Sequence, residues 1–305
     1  MRYLLLFSLP FFAVVGRVKC MSVSHPSLDP KCSIDEIELD RMYEVLSSKN
    51  SWASEAKALS RSWIKEVLFQ ETCKDQASAF EHSRKKIEKY LSWKVSNSIS
   101  NKIDYFLNEN KHDEFVDLHA DSNDLYWYGV DKEGSPILWY RADKTNFHKM
   151  KVKKGIESAS IVMQGGLDQM PSPIFDMNFI ICFDEFNLLH AMKNPTLGPK
   201  FIKTFITVFP DRVKRAYFVT GTIGHMFYNL MNKLAPENMK ERIVECRSRE
   251  EAAARLVADN VVHKEEIPTS MLIVRKPLYS KYIGYGTGFT IVVLAAILVL
   301  WLGNY

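Results

Sequence analysis

Two places in this chain bring together side chains that elsewhere carry out reactions. Asp184-Glu185 closes the apolar run Phe179-Ile180-Ile181-Cys182-Phe183, and acid/base groups collect at the C-terminal ends of buried parallel strands. Adjacent residues on an extended strand point to opposite faces, so these carboxylates do not share one substrate. The pattern favours a structural or capping role. His112 and His119 lie near Asp113 and Asp117 in a polar segment, where a metal site needs a third ligand from elsewhere in the chain. There is no G-x-S-x-G elbow, Walker loop, H-E-x-x-H or strand-borne G-x-G-x-x-G. Five cysteines (Cys20, Cys32, Cys73, Cys182 and Cys246) are odd in number and lack C-x-x-C spacing. That speaks against zinc and against a disulfide framework covering the chain. Catalytic residues, metal and cofactor are all expected to be absent.

The elements that position these residues read as a scaffold for something apolar. Between residues 178 and 246 the run ending at Phe183 is followed by a helical segment closing in Phe209-Pro210-Asp211-Arg212. A second strand (Arg215-Ala216-Tyr217-Phe218-Val219), an amphipathic segment from Gly224 to Leu234 and a third strand (Arg242-Ile243-Val244-Glu245-Cys246) come next. Short buried strands alternating with helices predict an α/β fold with a mostly parallel sheet flanked by helices. Cys182 and Cys246, inside apolar runs, are expected as buried thiols.

Helices are expected from residue 33 to about 110. Ser33-Ile34-Asp35-Glu36 matches a capping box, residues 52–69 and 77–95 keep helical spacing, and Arg84-Lys85-Lys86 with Lys89 form a solvated basic face or a membrane-surface patch. From Leu125 the period changes. Leu125 to Val130, Asp131-Lys132-Glu133-Gly134 and Ser135 to Tyr140 read as a β-hairpin. Residues 150–170 are predicted helical with an interruption at Gly165-Gly166, and residues 250–262 form a short helix.

Both ends are apolar. Residues 283–302 carry no charge, which is close to the ~20 residues a helix needs to cross a bilayer, so a C-terminal transmembrane helix is expected. Residues 1–20 resemble a secretory signal, and cleavage there places the main domain in the lumen. Arg275, Lys276 and Lys281 ahead of the terminal span, and the lack of any N-x-Ser/Thr sequon, favour a cytosolic domain instead. Both orientations stand; endoplasmic reticulum or another endomembrane is the expected location. A net charge of +4 in 305 residues, with 47% hydrophobic and 25% charged side chains, is that of a globular protein with no nucleic-acid partner.

These residues resemble the CRAL-TRIO lipid-binding family, which includes phosphatidylinositol transfer proteins, retinaldehyde-binding protein and the tocopherol transfer protein. Lys89-Tyr90-Leu91-Ser92-Trp93-Lys94 is similar to the phrase closing the family's helical subdomain, and Asp131-Lys132-Glu133-Gly134-Ser135-Pro136 to its D-x-x-G-x-P hairpin. Phe209-Pro210-Asp211-Arg212 resembles its Tyr-Pro-Glu-Arg, and Lys240-Glu241-Arg242-Ile243 its Lys-Ile strand. The likeness runs over roughly residues 33–273, with a helical subdomain at 33–115 and a lipid-binding domain at 120–273. Two phrases differ: Thr220-Gly221-Thr222 stands for Asn-x-Pro, and Ile267-Pro268-Thr269-Ser270 for the terminal Pro-x-x-Gly-Gly.

The resemblance implies a lipid-sized cavity between the sheet and an amphipathic gate helix at residues 223–234. Met226, Phe227, Leu230, Met231 and Leu234 form the gate's apolar face, with Phe183 on the sheet side. Met and Phe at this spacing give a soft, repackable surface, and Gly221 and Gly224 read as hinges. By the same resemblance Asp211 and Arg242 match the acidic and basic residues with which phosphatidylinositol-binding members hold the headgroup. The expected partners are a lipid and a membrane. The alternative is an interaction module of the same fold, without ligand, that binds a small GTPase or a scaffold.

Overall fold

A computed structural model describes residues 34–107, 124–142, 144–145, 151–184, 200–201, 204–205, 208–209, 211–235 and 237–268. Residues 1–20, His112, His119 and the expected 283–302 span lie outside the described residues. Among the described residues no helix is long and apolar enough to cross a membrane.

Five helices come first: α1 (Glu36–Ser47), α2 (Ala53–Lys57), α3 (Arg61–Thr72), α4 (Ala79–Ser96) and α5 (Ile99–Leu107). The cap of α1 is Asp35; Ser33, the first residue of the expected capping box, lies outside the described residues. The Asp35 backbone is extended and its carboxylate accepts the Ile37 N–H at 3.0 Å, and an anion suits the positive end of a helix. The helix expected over residues 52–69 is broken before Ser60, whose hydroxyl caps α3 through the Trp63 N–H. The break frees the Leu59 carbonyl, which accepts the Tyr43 hydroxyl at 2.6 Å.

The hairpin is as expected: β1 (Leu125–Val130) pairs antiparallel with β2 (Pro136–Arg141). Asp131 builds its turn, with one carboxylate oxygen accepting the Glu133 and Ser135 N–H groups at 2.9 Å each. β3 (Met177–Cys182), β4 (Val213–Val219) and β5 (Ile243–Cys246) follow in parallel, in the order β1-β2-β3-β4-β5. Each parallel strand is added on the same side of the one before. Right-handed crossovers therefore place every connecting segment on one face, and the strand order never reverses. These segments include α6 (Val152–Asp168), α7 (Gly221–Leu234) and the one-turn α8 (Glu237–Lys240).

Strand alternation sorts two cores. Leu138, Phe179, Ile181, Ala216 and Phe218 face the crossover side, where Val162 and Met163 of α6 meet them. Ile137, Trp139, Ile180, Cys182, Tyr217 and Val219 face the other side, covered by Ala252 and Leu256 of α9 (Arg249–Ala258). Cys182 and Cys246 are buried, and burial pushes the Cys246 thiol up to about 12.

Gly165-Gly166 does not interrupt α6. Gly166 clears space instead: a Cβ there would lie 2.1 Å from Trp127 Cε2. Trp127 also donates its indole N–H to the Val162 carbonyl at 2.8 Å. A close ring, not a kink, is the reason for Gly166.

The helical layer and the sheet share one core, in which Leu39, Trp63, Ile87 and Tyr90 join Phe179 and Phe218. Arg212, just before β4, locks the layers together. It is 6% exposed, donates from Nη1 to the Phe175 carbonyl at 2.9 Å, and lays its guanidinium 4.1 Å over the Trp63 ring. Lys94 of α4 supplies a second tie, reaching Glu55 at 3.0 Å and Asp168 of α6 at 3.5 Å. Burial works to raise the Glu55 carboxyl, but Ser100 and Lys94 outweigh it and hold it below its ordinary 4.5.

Two outcomes follow for stability. Arg212→Ala strands the Phe175 carbonyl and uncovers Trp63, and is expected to cost about 3–5 kcal/mol in urea denaturation. Because the core is shared, circular dichroism and tryptophan fluorescence should give one common midpoint; separate transitions would contradict the single core. A carboxyl lowered in the fold contributes stability above its unfolded value and loses it as pH falls through the lowered one. The stability gap between wild type and Glu55→Gln should therefore be full at neutral pH and close below about pH 4.5, measured as urea midpoints across that range.

Candidate functional site

Rings form an unbroken ladder across the crossover face. Tyr228 of α7 stands edge-on to Phe218 at 6.0 Å, Phe218 stacks on Phe183 at 6.4 Å, and Phe183 meets Tyr140 edge-on at 6.3 Å. Tyr140 stacks on Phe201, Phe201 on Phe205, and Phe205 tilts against both Phe179 and Phe209. Phe209 then reaches Trp93 of α4 at 5.6 Å, which continues through Tyr90 to Trp63 under Arg212. These separations suit aromatic pairs, which add about 0.5–1.5 kcal/mol each beyond their buried area.

The ladder changes character along its length. Tyr90, Trp63, Phe205, Phe209, Phe179 and Phe218 are buried, whereas Trp93, Tyr140, Phe183, Phe201 and Tyr228 pack against the core with part of their surface open. Trp93 apart, the open rings cluster around the start of α7. These rings leave part of their apolar surface uncovered on the inner face of the sheet. Phe183, expected on the sheet side of the gate, is one of these rings. Tyr140, Phe201, Phe218 and Tyr228 were not singled out from sequence, although strand alternation places Tyr140 and Phe218 on the same face as Phe179.

The start of α7 is jammed against the end of β3. Gly221 has φ +51°, and a Cβ there would lie 3.0 Å from the Asp184 Cα; one on Gly224 would lie 2.7 Å from the Phe183 Cβ. Both positions read as hinges in the sequence. The structure shows them as close-approach points, with the left-handed backbone of Gly221 turning the chain into the helix. Asp184 itself is held by Arg249, 1% exposed, through contacts of 2.5 and 3.3 Å. Its carboxylate anchors the β3 end to α9, in keeping with the structural role expected for it. Met226, Phe227, Leu230, Met231 and Leu234 all lie on α7, and their side chains lie outside the described residues, as does Glu185.

Asp211 and Arg242 stand at the other end of β4. Asp211 adopts φ 55° and lies 3.3 Å from Lys86 of α4, which also meets Glu71 of α3 at 2.7 Å. Burial lowers the Lys86 ammonium, but Asp211 and Glu71 outweigh it, and it ends above its ordinary range. Burial likewise raises the Glu71 carboxyl until Lys74 and Lys86 pull it below its usual value. Arg242 donates to the Val213 carbonyl at 2.9 Å and lies 3.5 Å from Glu66 of α3. The structure thus puts both residues at the N-terminal end of β4 and joins each to the helical layer. Within the basic run, Arg84 is paired with Glu81 and Glu88, and Lys86 with Glu71 and Asp211. Those pairs leave less free charge for a membrane patch than the sequence suggests.

Strand and helix lengths connect the two ends. Seven residues of β4 span roughly 23 Å and fourteen residues of α7 about 21 Å. A helix leaving the C-terminal end of β4 and returning to start β5 therefore runs the length of the sheet, from the open rings toward Asp211 and Arg242. An apolar face with charged groups at one end suits an amphiphile.

The family comparison agrees with this architecture. Residues 121–271 match the model of the CRAL/TRIO domain. The crystal structure of Sfh5 is similar at 12% sequence identity with a TM-score of 0.47, over 70% of this chain and 81% of that one. A search of curated proteins finds no match. The chain belongs to the CRAL/TRIO family, with its domain at residues 121–271.

Proposed function

We propose that the chain is a membrane-anchored protein that holds a lipid in the trough beneath α7 and carries out no chemistry on it. The lipid-binding fold is that of the family. The observation that carries the reading further is the row of partly open rings, Tyr140, Phe183, Phe201 and Tyr228, on the face that all crossovers cover. An acyl chain laid against them leaves water, at about 25 cal/mol per Å² of apolar surface. Asp211 then accepts inositol hydroxyls and Arg242 pairs with phosphate, while Lys86 and Glu66 keep both side chains in place. The apolar segment at residues 283–302 supplies the anchor.

Asp184 supports the absence of catalysis, since its carboxylate is engaged with a buried guanidinium. A tether suits such a domain, which would pass lipid between apposed membranes or present it to a neighbouring protein.

Residues 33–270, purified and sprayed under native conditions, should carry a lipid mass that solvent extraction removes. Phe227→Asp places a charge on the apolar face of α7 and should cut that loading at least ~10-fold with the fold intact; an empty, cooperatively folded wild type favours the interaction-module alternative. On phosphoinositide-containing vesicles, Arg242→Ala is expected to weaken headgroup-dependent binding by about 10-fold, the loss of one charge-assisted contact. Equal binding of both proteins removes Arg242 from the headgroup site.

A further inference from the structure

Glu245 sits where the sheet otherwise presents apolar groups. Val244 and Cys246 face α9, so Glu245 faces the crossover side, and its register partner there is Phe218. An acid in that slot has a specific use. Glu245 Oε1 lies 2.5 Å from His225 Nδ1, one turn into α7, and accepts the Thr220 hydroxyl at 3.1 Å. One carboxylate oxygen on the edge strand thereby grips two points of the β4–α7 junction. Asn229 Nδ2 lies 3.0 Å from His225 Nε2. With that amide donating, Nε2 accepts and the Nδ1 proton points at Glu245. Tyr228 stacks on the imidazole at 6.3 Å while its other side meets Phe218. The titratable groups described around His225 are thus Glu245 from β5 and Tyr228 from its own helix.

The contact is built to open. The His225 side chain is 54% exposed and that of Glu245 22%, so water replaces each partner at small cost. Beneath it the Gly224–Phe183 approach is tight and apolar. Thr220 has a second acceptor in the Cys246 carbonyl at 3.4 Å, which keeps the junction fixed when Glu245 lets go.

We propose that Glu245, through His225 and Thr220, is a latch that holds α7 on the edge strand and sets how often the helix lifts from the aromatic wall. The role in ligand exchange rests on the reading of α7 as the gate; the latch itself does not.

Hydrogen–deuterium exchange on the full chain in detergent micelles separates the two. Glu245→Ala and His225→Ala should each speed exchange of the α7 amides by about three-fold, with β4 amides unchanged. The double variant should go no further than Glu245→Ala, because that change already removes the His225 contact. Unaltered α7 exchange, or effects that add, overturns the latch. If Glu245→Ala also loosens β4, the half-exposed His225→Ala alone decides. The same proteins are then assayed for transfer of a fluorescent phosphatidylcholine between phosphatidylcholine–phosphatidylserine vesicles. Faster α7 exchange with faster transfer supports latch and gate together. Faster α7 exchange with unchanged transfer keeps the latch and removes α7 as the gate.

Discussion

Everything in this chain is organised by one buried cation. Arg212 enters the core ahead of β4, where an isolated guanidinium is costly to desolvate. The Phe175 carbonyl and the Trp63 face make its burial tolerable. Trp63 belongs to α3, so the helical layer must close over the sheet for that burial to hold. The same closure brings α3 and α4 against the charged end of β4, giving Lys86 to Asp211 and Glu66 to Arg242. Fixing the layer and forming the charged end of the trough are one event.

From Trp63 the aromatic ladder carries the packing back along the crossover face to α7, and its gradient from buried to half-open rings separates structure from site. Trp93 apart, the rings near Arg212 fill a core, and those near Tyr228 keep part of their surface open. Crossovers that all fall on one face leave no reversal of strand order and no crevice of the dinucleotide-binding kind. A ligand of the kind proposed would therefore have to lie under a crossover helix.

Much of the fold was legible because periodicity reports burial. The strands at Phe179, Arg215 and Ile243, the hairpin around Asp131 and the amphipathic stretch after Gly221 were all placed within a few residues. The family likeness was likewise carried by phrases in the right order. Readings that failed concerned residues whose role depends on a neighbour far along the chain. Gly165-Gly166 looked like a break because glycine weakens helices locally; Trp127, nearly forty residues away, supplies the reason for it. Gly221 and Gly224, expected as hinges, also make close approaches to the β3 end. The structural role expected of Asp184 holds, and only the fold names Arg249 as its partner.

The sequence by itself determined the class of fold, the order of the family phrases and the two apolar stretches. These follow from local composition and spacing. Tertiary structure decided which charges meet, where rings are left open, and that Glu245 rather than an apolar residue faces His225. Hydrogen bonds, ion pairs and ring contacts act over a few ångströms, so only the folded chain selects their partners. The spacing of residues along the sequence carries no record of that choice.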